Sequence, residues 1–239
     1  MSEEDVPAVP LEKKAIDHNA VAFLIPVRKT PLLTSDLLHT ALETGVYDGC
    51  SFVLLLDNDD PYLLAYKELV ESMRKKGLDA GYFIFDGTPY CGKINRVAPI
   101  VSADFVCVID STHLPMISSG KKVSEAVQEW AKTSLQEMKV GSFGEDGFYP
   151  LVSRKLVDRL GYLFHPLCYG RIEAENWLLL IASRLEIGTQ IPDGTVIESN
   201  ADGVEIVGVS DEEDANWVDE TLGQIVDDEA ERLEQYLIR

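Results

Sequence analysis

An α/β fold, with a mainly parallel sheet flanked by helices on both faces, is what this sequence predicts. Short continuous apolar runs at 21–27, 51–57, 81–87 and 104–110 alternate with segments of helical periodicity, the order that crossover connections between parallel strands require. Within the runs there is no polar alternation, so both faces of each strand are expected to be buried. Three runs end in an acid, Asp57, Asp86 and Asp110, and parallel packing brings strand ends distant in sequence to one carboxyl edge, where such sheets bind ligands.

The elements follow in order. "VAFLIPV" (21–27) is the first strand, closed by Arg28 and Pro31. "TSDLLHTALETG" offers Thr34 or Ser35 as a helix cap and Gly45 as the stop. "SFVLLLD" (51–57) is a second strand, and 61–77 a helix that opens on proline and ends in basic residues and glycine. "GYFIFDG" supplies the third strand, 92–103 a short helix limited by Pro99, and "DFVCVID" (104–110) the fourth strand. Residues 121–139 have helical spacing, 141–161 run from a glycine-rich loop into a helix, and "IEAENWLLLIASRLEIG" carries the apolar stripe of a buried helix. Beyond Gly188 the composition shifts: a hairpin is expected around Asn200 to Gly203, then one or two acidic helices with aspartates at their start.

The 239 residues, 46% of them hydrophobic, are enough for a full core. No apolar run reaches membrane-spanning length, and the acidic start lacks the basic and apolar regions of a signal peptide; a soluble, cytoplasmic protein is the expectation. Net charge is −20, of which −13 falls in residues 191–239 with 15 acids against two bases. Such a field disfavours broad nonspecific binding to nucleic acid and leaves room only for a local basic groove. Cys50, Cys91, Cys107 and Cys168 are widely separated and read as reduced thiols.

Several chemistries lose support. "IPVRKTP" after the first strand has neither the GxGxxG nor the GxxxxGK[ST] glycine pattern. There is no GxSxG elbow and no histidine pair at metal-binding spacing.

What remains, in order, resembles the GT-A (Rossmann-like) fold of nucleotide-sugar glycosyltransferases, in particular the family-2-like group. "FLIPVRKTPLLTSDLLHTAL" looks like that group's opening strand and helix. "FVLLLDNDDP" is similar to its second strand, whose terminal acid contacts the nucleobase. "GKINRVAPIVSADFVCVIDSTHLP" resembles the stretch leading to the metal-binding DxD. "GFYPLVSRKLVDRLGYLFHP" looks like the acceptor side, and "AENW" like the acidic motif holding the catalytic base. The resemblance covers residues 20–190, between a polar leader (1–19) and an acidic hairpin-and-helix extension (191–239).

The resemblance implies a nucleotide-sugar donor, a divalent Mn²⁺ or Mg²⁺, and inverting transfer to an acceptor hydroxyl of a glycan, a protein, a small metabolite or a hydroxymethylated base in phage DNA. It implies donor contacts from Pro26, Arg28, Asp57, Asn58, Lys93, Asn95 and Asp110, and an acceptor side containing Arg154, Arg159 and Trp177. The base would be Glu175, with Glu173 as rival; at i and i+2 they point to different helix faces. The chain departs from the pattern at one place: Asp110 is followed by Ser111 and Thr112, so the second acid of the DxD is missing. A single carboxylate with diphosphate oxygens and waters can complete an octahedron, with His113 or His165 as a further ligand. Each residue also has a plain structural reading, Asp57 and Asp110 as turn caps, both histidines and Trp177 as packing residues, both glutamates as solvated helix-entry acids. A nucleotidyltransferase, or a glycosyltransferase-like binding protein that has lost activity, are the competing functions.

Overall fold

The computed structural model describes residues 19–133, 136–143, 149–168, 170–198 and 215–237. A seven-stranded sheet in the order β3-β2-β1-β4-β7-β6-β8 forms its centre. Strands β1 (Asn19–Pro26), β2 (Cys50–Asp57), β3 (Ala80–Phe85) and β4 (Ala103–Val108) pair in parallel. Helices α1 (Pro31–Thr44), α2 (Leu63–Lys75) and α3 (Tyr90–Val97) make the crossovers.

Both faces of the sheet are covered, and the strands show it residue by residue. Val21, Phe23 and Ile25 of β1 face one core with Leu37, Tyr66 and Val127, while Ala22 and Leu24 face the other with Ile94, Leu156 and Trp177. That is the period-2 alternation of a strand with apolar partners on each side. It explains why these strands read as unbroken apolar runs.

Helix boundaries differ from the sequence expectation for local reasons. Helix α1 starts at Pro31, which needs no N–H at the first turn, so Thr34 lies inside the helix and bonds its hydroxyl back to the Thr30 carbonyl at 2.9 Å. Gly45 does stop it, at φ 64°, a conformation glycine adopts without a Cβ clash. Helix α2 begins at Leu63, after a turn in which Asp60 accepts from the Tyr62 N–H at 2.8 Å.

The second half holds the larger departures. After β5 (His113–Ile117) and α4 (Val123–Ala131), the expected long helix to 139 stops early. In place of a plain loop come β6 (Val140–Ser142) and β7 (Pro150–Ser153), then α5 (Arg154–Leu160). β7 inserts antiparallel beside β4, with Cys107 opposite Leu151. This reversal matters for the site, since it puts the residue entering β7 at the carboxyl end of β4. Helix α6 (Arg171–Arg184) leads to β8 (Gly188–Gln190), which pairs with β6.

The acidic extension is joined to the body. β9 (Gly194–Glu198) pairs antiparallel with β5 in a separate two-stranded sheet. Helix α7 (Ala215–Glu234) buries Val226, Ala230 and Leu233 in the α6-side core. Tyr162 donates to Glu229 at 2.6 Å, and Arg184 pairs with Asp227 and Glu234. The turn expected at Asn200 to Gly203 lies outside the described residues. All four cysteine thiols are free and buried; burial pushes Cys50 up to about 12 and Cys168 to about 11, which keeps them protonated and unreactive. Among the described residues no helix is long and apolar enough to cross a membrane.

Candidate active site

Buried polar residues mark one edge of the sheet. Of ten in the described residues, Asp57, Asp60, Lys93, Ser111, Thr112 and Glu175 lie at or beside the carboxyl ends of β1, β2 and β4. Burying polar groups costs free energy unless they are paired, so their concentration there marks that edge as the candidate site. A cavity of about 380 Å³, lined by Asp104, Phe105, Lys132 and Arg154 among others, sits at the opposite, amino end of β4 and contains none of these groups.

Two clusters make up the edge. In the first, Asp57 ends β2 and accepts from Lys93 Nζ at 2.5 Å and from Arg28 Nη1 at 3.2 Å. Lys93 reaches it because α3, following β3, begins at the same edge. Arg28 also pairs with exposed Asp59 at 2.9 Å. The chain leaves β1 through Lys29, a non-glycine residue at φ 58°, whose N–H donates to Asp60 at 2.7 Å. A left-handed side-chain-bearing residue is strained, and such strain collects at functional loops. Pro26 is the last residue of β1, and Asn58, exposed, gives its N–H to the Phe85 carbonyl at 2.7 Å.

The second cluster is built on Asp110, two residues past β4. Its Oδ1 accepts from the Thr112 N–H at 2.8 Å, the Thr112 hydroxyl at 2.7 Å and His113 Nδ1 at 2.9 Å; Oδ2 accepts from the Tyr149 hydroxyl and Arg171 Nη1, both at 2.7 Å. Nδ1 of His113 therefore carries the proton, assigned from this network. Burial favours the neutral acid, but the bonds from Tyr149, Arg171, Thr112 and His113 outweigh it and hold the Asp110 carboxyl far below the ordinary range. Tyr149 enters β7 at φ 57°, with its ring 5.5 Å from that of His113 and 4.8 Å from the Arg171 guanidinium carbon. Burial, with the Asp110 charge adding, raises its phenol, which stays a donor.

Arg171 joins the two carboxylates. It opens α6, and its Nε donates to Glu175 Oε1 at 2.7 Å one turn on, while Nη1 holds Asp110. Glu175 is buried and its carboxyl is raised above the ordinary value by that burial, with Arg171 pulling the other way. Tyr90, at the start of α3, feels the charges of Arg171, Glu175 and Asp110. A hydrogen bond of 3.3 Å from the Ser111 hydroxyl to Thr30 links the two clusters. Their parent strands β2 and β4 flank β1, about 10 Å apart by sheet spacing, enough for a nucleotide to lie across both.

The structure brings together Arg28, Asp57 and Lys93, and separately Asp110, His113 and Glu175. The other residues singled out from sequence sit elsewhere. The Asn95 side chain accepts from the N–H groups of Leu163 (3.0 Å) and Phe164 (2.9 Å) and donates to the Phe164 carbonyl at 2.7 Å, tying α3 to the loop before α6. His165 lies edge-on to Tyr162 and tilted against Trp177, and burial lowers its pKa. Trp177 has 0% exposure, and its indole N–H has no partner among the described residues. Glu173 folds back to the N–H of Gly170 at 3.3 Å, an N-terminal helix contact. Arg154 donates to the carbonyls of Ala98, Val101 and Ala103, and Arg159 lies over the Tyr236 ring. Lys121, Lys122 and Lys155 are paired with Glu129, Asp48 and Glu137. Sequence reasoning missed Arg171 and Tyr149; an arginine four residues before the candidate base was the one local signal.

A divalent ion does not fit this donor set. A carboxylate offers about four acceptor positions, and Asp110 already accepts five hydrogen bonds. Thr112 turns its hydroxyl toward Asp110, and Glu175 is held by Arg171. Among the described residues no group of three His, Cys, Asp or Glu side chains converges to hold a metal.

No family model matches the sequence, and no curated protein matches it either. Solved structures do. The mannosyltransferase PcManGT from Pyrobaculum calidifontis, in complex with GDP-Man and Mn²⁺, superposes with a TM-score of 0.57 at 12% identity, covering 81% of this chain and 59% of that one. S. aureus TarS 1-349 gives 0.54 at 11% identity, covering 74% and 59%; S. aureus TarS gives 0.55 at 12%, covering 74% and 36%. The chain thus spans less than two thirds of each. The likeness, together with the parallel β3-β2-β1-β4 half-sheet, shows a GT-A-like α/β fold.

Proposed function

We propose that the chain transfers a sugar from a nucleoside diphosphate sugar to an acceptor hydroxyl with inversion at the anomeric carbon. The observation that carries the reading is the convergence of Asp110 and Glu175, from β4 and α6, around one guanidinium beside the Asp57–Lys93–Arg28 cluster. In this reading Asp57 accepts a ring N–H of the base, with Arg28 and Lys93 toward ribose and phosphate. The acceptor O–H attacks the anomeric carbon as the bond to the β-phosphate oxygen breaks and its electron pair leaves on the diphosphate. Glu175 takes the acceptor proton, and its raised carboxyl suits it to hold that proton. Attack from the face opposite the leaving group inverts the configuration.

PcManGT was solved with GDP-Man and Mn²⁺, and a divalent ion would supply Lewis-acid stabilisation of the leaving diphosphate. The saturated Asp110 carboxylate does not support that role here, and no step above runs through a metal. The same saturation favours, as a second reading, a nucleotide-binding protein without turnover. Release of nucleoside diphosphate from a panel of UDP- and GDP-sugars separates the two: release abolished by Glu175→Gln supports transfer, and binding without release supports the second.

A further inference from the structure

Taking the transferase reading as the starting point, we infer that Arg171 is the resident cation of this site and grips the donor diphosphate without a divalent metal. Transfer requires positive charge where the leaving group becomes negative. In this fold that charge must sit by the carboxyl end of β4, and the group there is a guanidinium. It bridges Asp110 at 2.7 Å and Glu175 at 2.7 Å, the placement of a cation shared by two carboxylates from different elements. Its side chain stays 29% exposed, so it is fixed on one side and open to ligand on the other. Asp110 and Glu175 take one donor each and Tyr149 is a further hydrogen-bond partner; the guanidinium donors that remain suit phosphate oxygens.

Two features keep it in place. The Tyr149 ring lies against it at 4.8 Å. The Asp110 carboxylate is itself locked by Thr112, His113 and Tyr149. Helix α6 starts at Arg171, so its N-terminal dipole, which does nothing to hold a cation, adds to the positive potential that a diphosphate would meet there. Thr112 completes the exchange: where a second acid would recruit a metal, a hydroxyl instead donates to Asp110 and removes a lone pair from metal coordination. As the sugar leaves, Arg171 N–H groups donate to the β-phosphate oxygens and the guanidinium keeps its proton, since the surrounding carboxylates, set against burial, hold it well above its ordinary range.

UDP and GDP binding to the full chain, measured by calorimetry in EDTA and in Mn²⁺, tests this directly. Affinity for at least one nucleotide in EDTA is expected within about twofold of that in Mn²⁺, and Arg171→Lys to keep part of it. Arg171→Ala is expected to bind at least about tenfold more weakly in EDTA, the size of one charge-assisted contact. With the guanidinium removed, Asp110 still accepts from Thr112, His113 and Tyr149, so Mn²⁺ should not restore nucleotide affinity to Arg171→Ala; affinity restored by Mn²⁺ overturns the inference, and a merely structural arginine would leave affinity per folded molecule unchanged. Wild-type binding that appears only with Mn²⁺ overturns the inference and leaves sugar transfer standing. Binding of neither nucleotide under either condition overturns the transferase reading itself, and the inference with it. The wild-type measurements stand whether or not the alanine variant folds.

Discussion

Arg171 and Asp110, 61 residues apart in sequence, meet at 2.7 Å at the carboxyl edge of the sheet. The contact exists because β4 ends at that edge and α6 begins there. Arg171 is then held on its other side by Glu175, its own neighbour one turn along the helix. One cation thus sits between two carboxylates at that edge.

Replacing Glu175 by Gln keeps the shape of the side chain and removes the proton acceptor. Turnover should fall by about 10²–10⁴, the usual worth of a general base, with donor affinity little changed. Glu173→Gln, altering a side chain that turns back to Gly170, should leave the rate within a few fold. Steady-state kinetics on both variants checks the contrast; equal losses would remove the distinction between them.

Asp110→Asn should lower stability by about 1–3 kcal/mol, because Arg171 loses one of its two carboxylates in a half-buried setting and two donors are left facing an amide. In a chain of this size that is a fall of about 2–4 °C in melting temperature per kcal/mol. Calorimetric melting curves measure it.

Acid sensitivity should follow the same residue. The folded state holds the Asp110 carboxyl below its ordinary value of about 3.9. Its contribution to stability is therefore complete above about pH 4 and is lost as pH falls below that, when the folded protein must take up the proton. The Asn variant should show a shallower decline in stability between pH 4 and pH 2. Glu175 is shifted the other way, so the acid limb of the turnover profile should lie above the ordinary glutamate value of about 4.3.

Asn95 was expected at the donor and instead closes three backbone groups of the loop before α6. Asn95→Ala should cost about 2–4 kcal/mol, since it strips partners from partly buried backbone groups, while nucleotide affinity per folded molecule stays the same. A weakened nucleotide affinity at unchanged stability would contradict that placement.

The first four strands were legible because parallel strands covered on both faces lose polar alternation and become apolar runs with acids at their ends. Asp57 and Asp110 were legible for the same reason. Strands β6, β7 and β8 were not. They are three or four residues long, and β7 and β8 are placed by partners distant in sequence, Leu151 opposite Cys107 and Gly188 opposite Val140, so no local period marks them. Tyr149 was hidden with β7, because only the antiparallel reversal beside β4 carries its hydroxyl to Asp110. Arg171 was hidden differently: an arginine just ahead of a helix's apolar stripe reads as a surface charge until the chain folds and sets a carboxylate against it. Asn95 read as a ligand because a polar residue near a strand end looks alike whether it faces substrate or loop backbone.

The central claim is that the Asp110–Arg171–Glu175 cluster receives the diphosphate of a nucleotide sugar. A crystal structure of the chain grown with UDP or GDP in EDTA tests it most directly. The account predicts the base at Asp57 and diphosphate oxygens within hydrogen-bond distance of the Arg171 guanidinium. A diphosphate bound away from Arg171, or coordinated through an added metal on Asp110 with Arg171 swung aside, would contradict it.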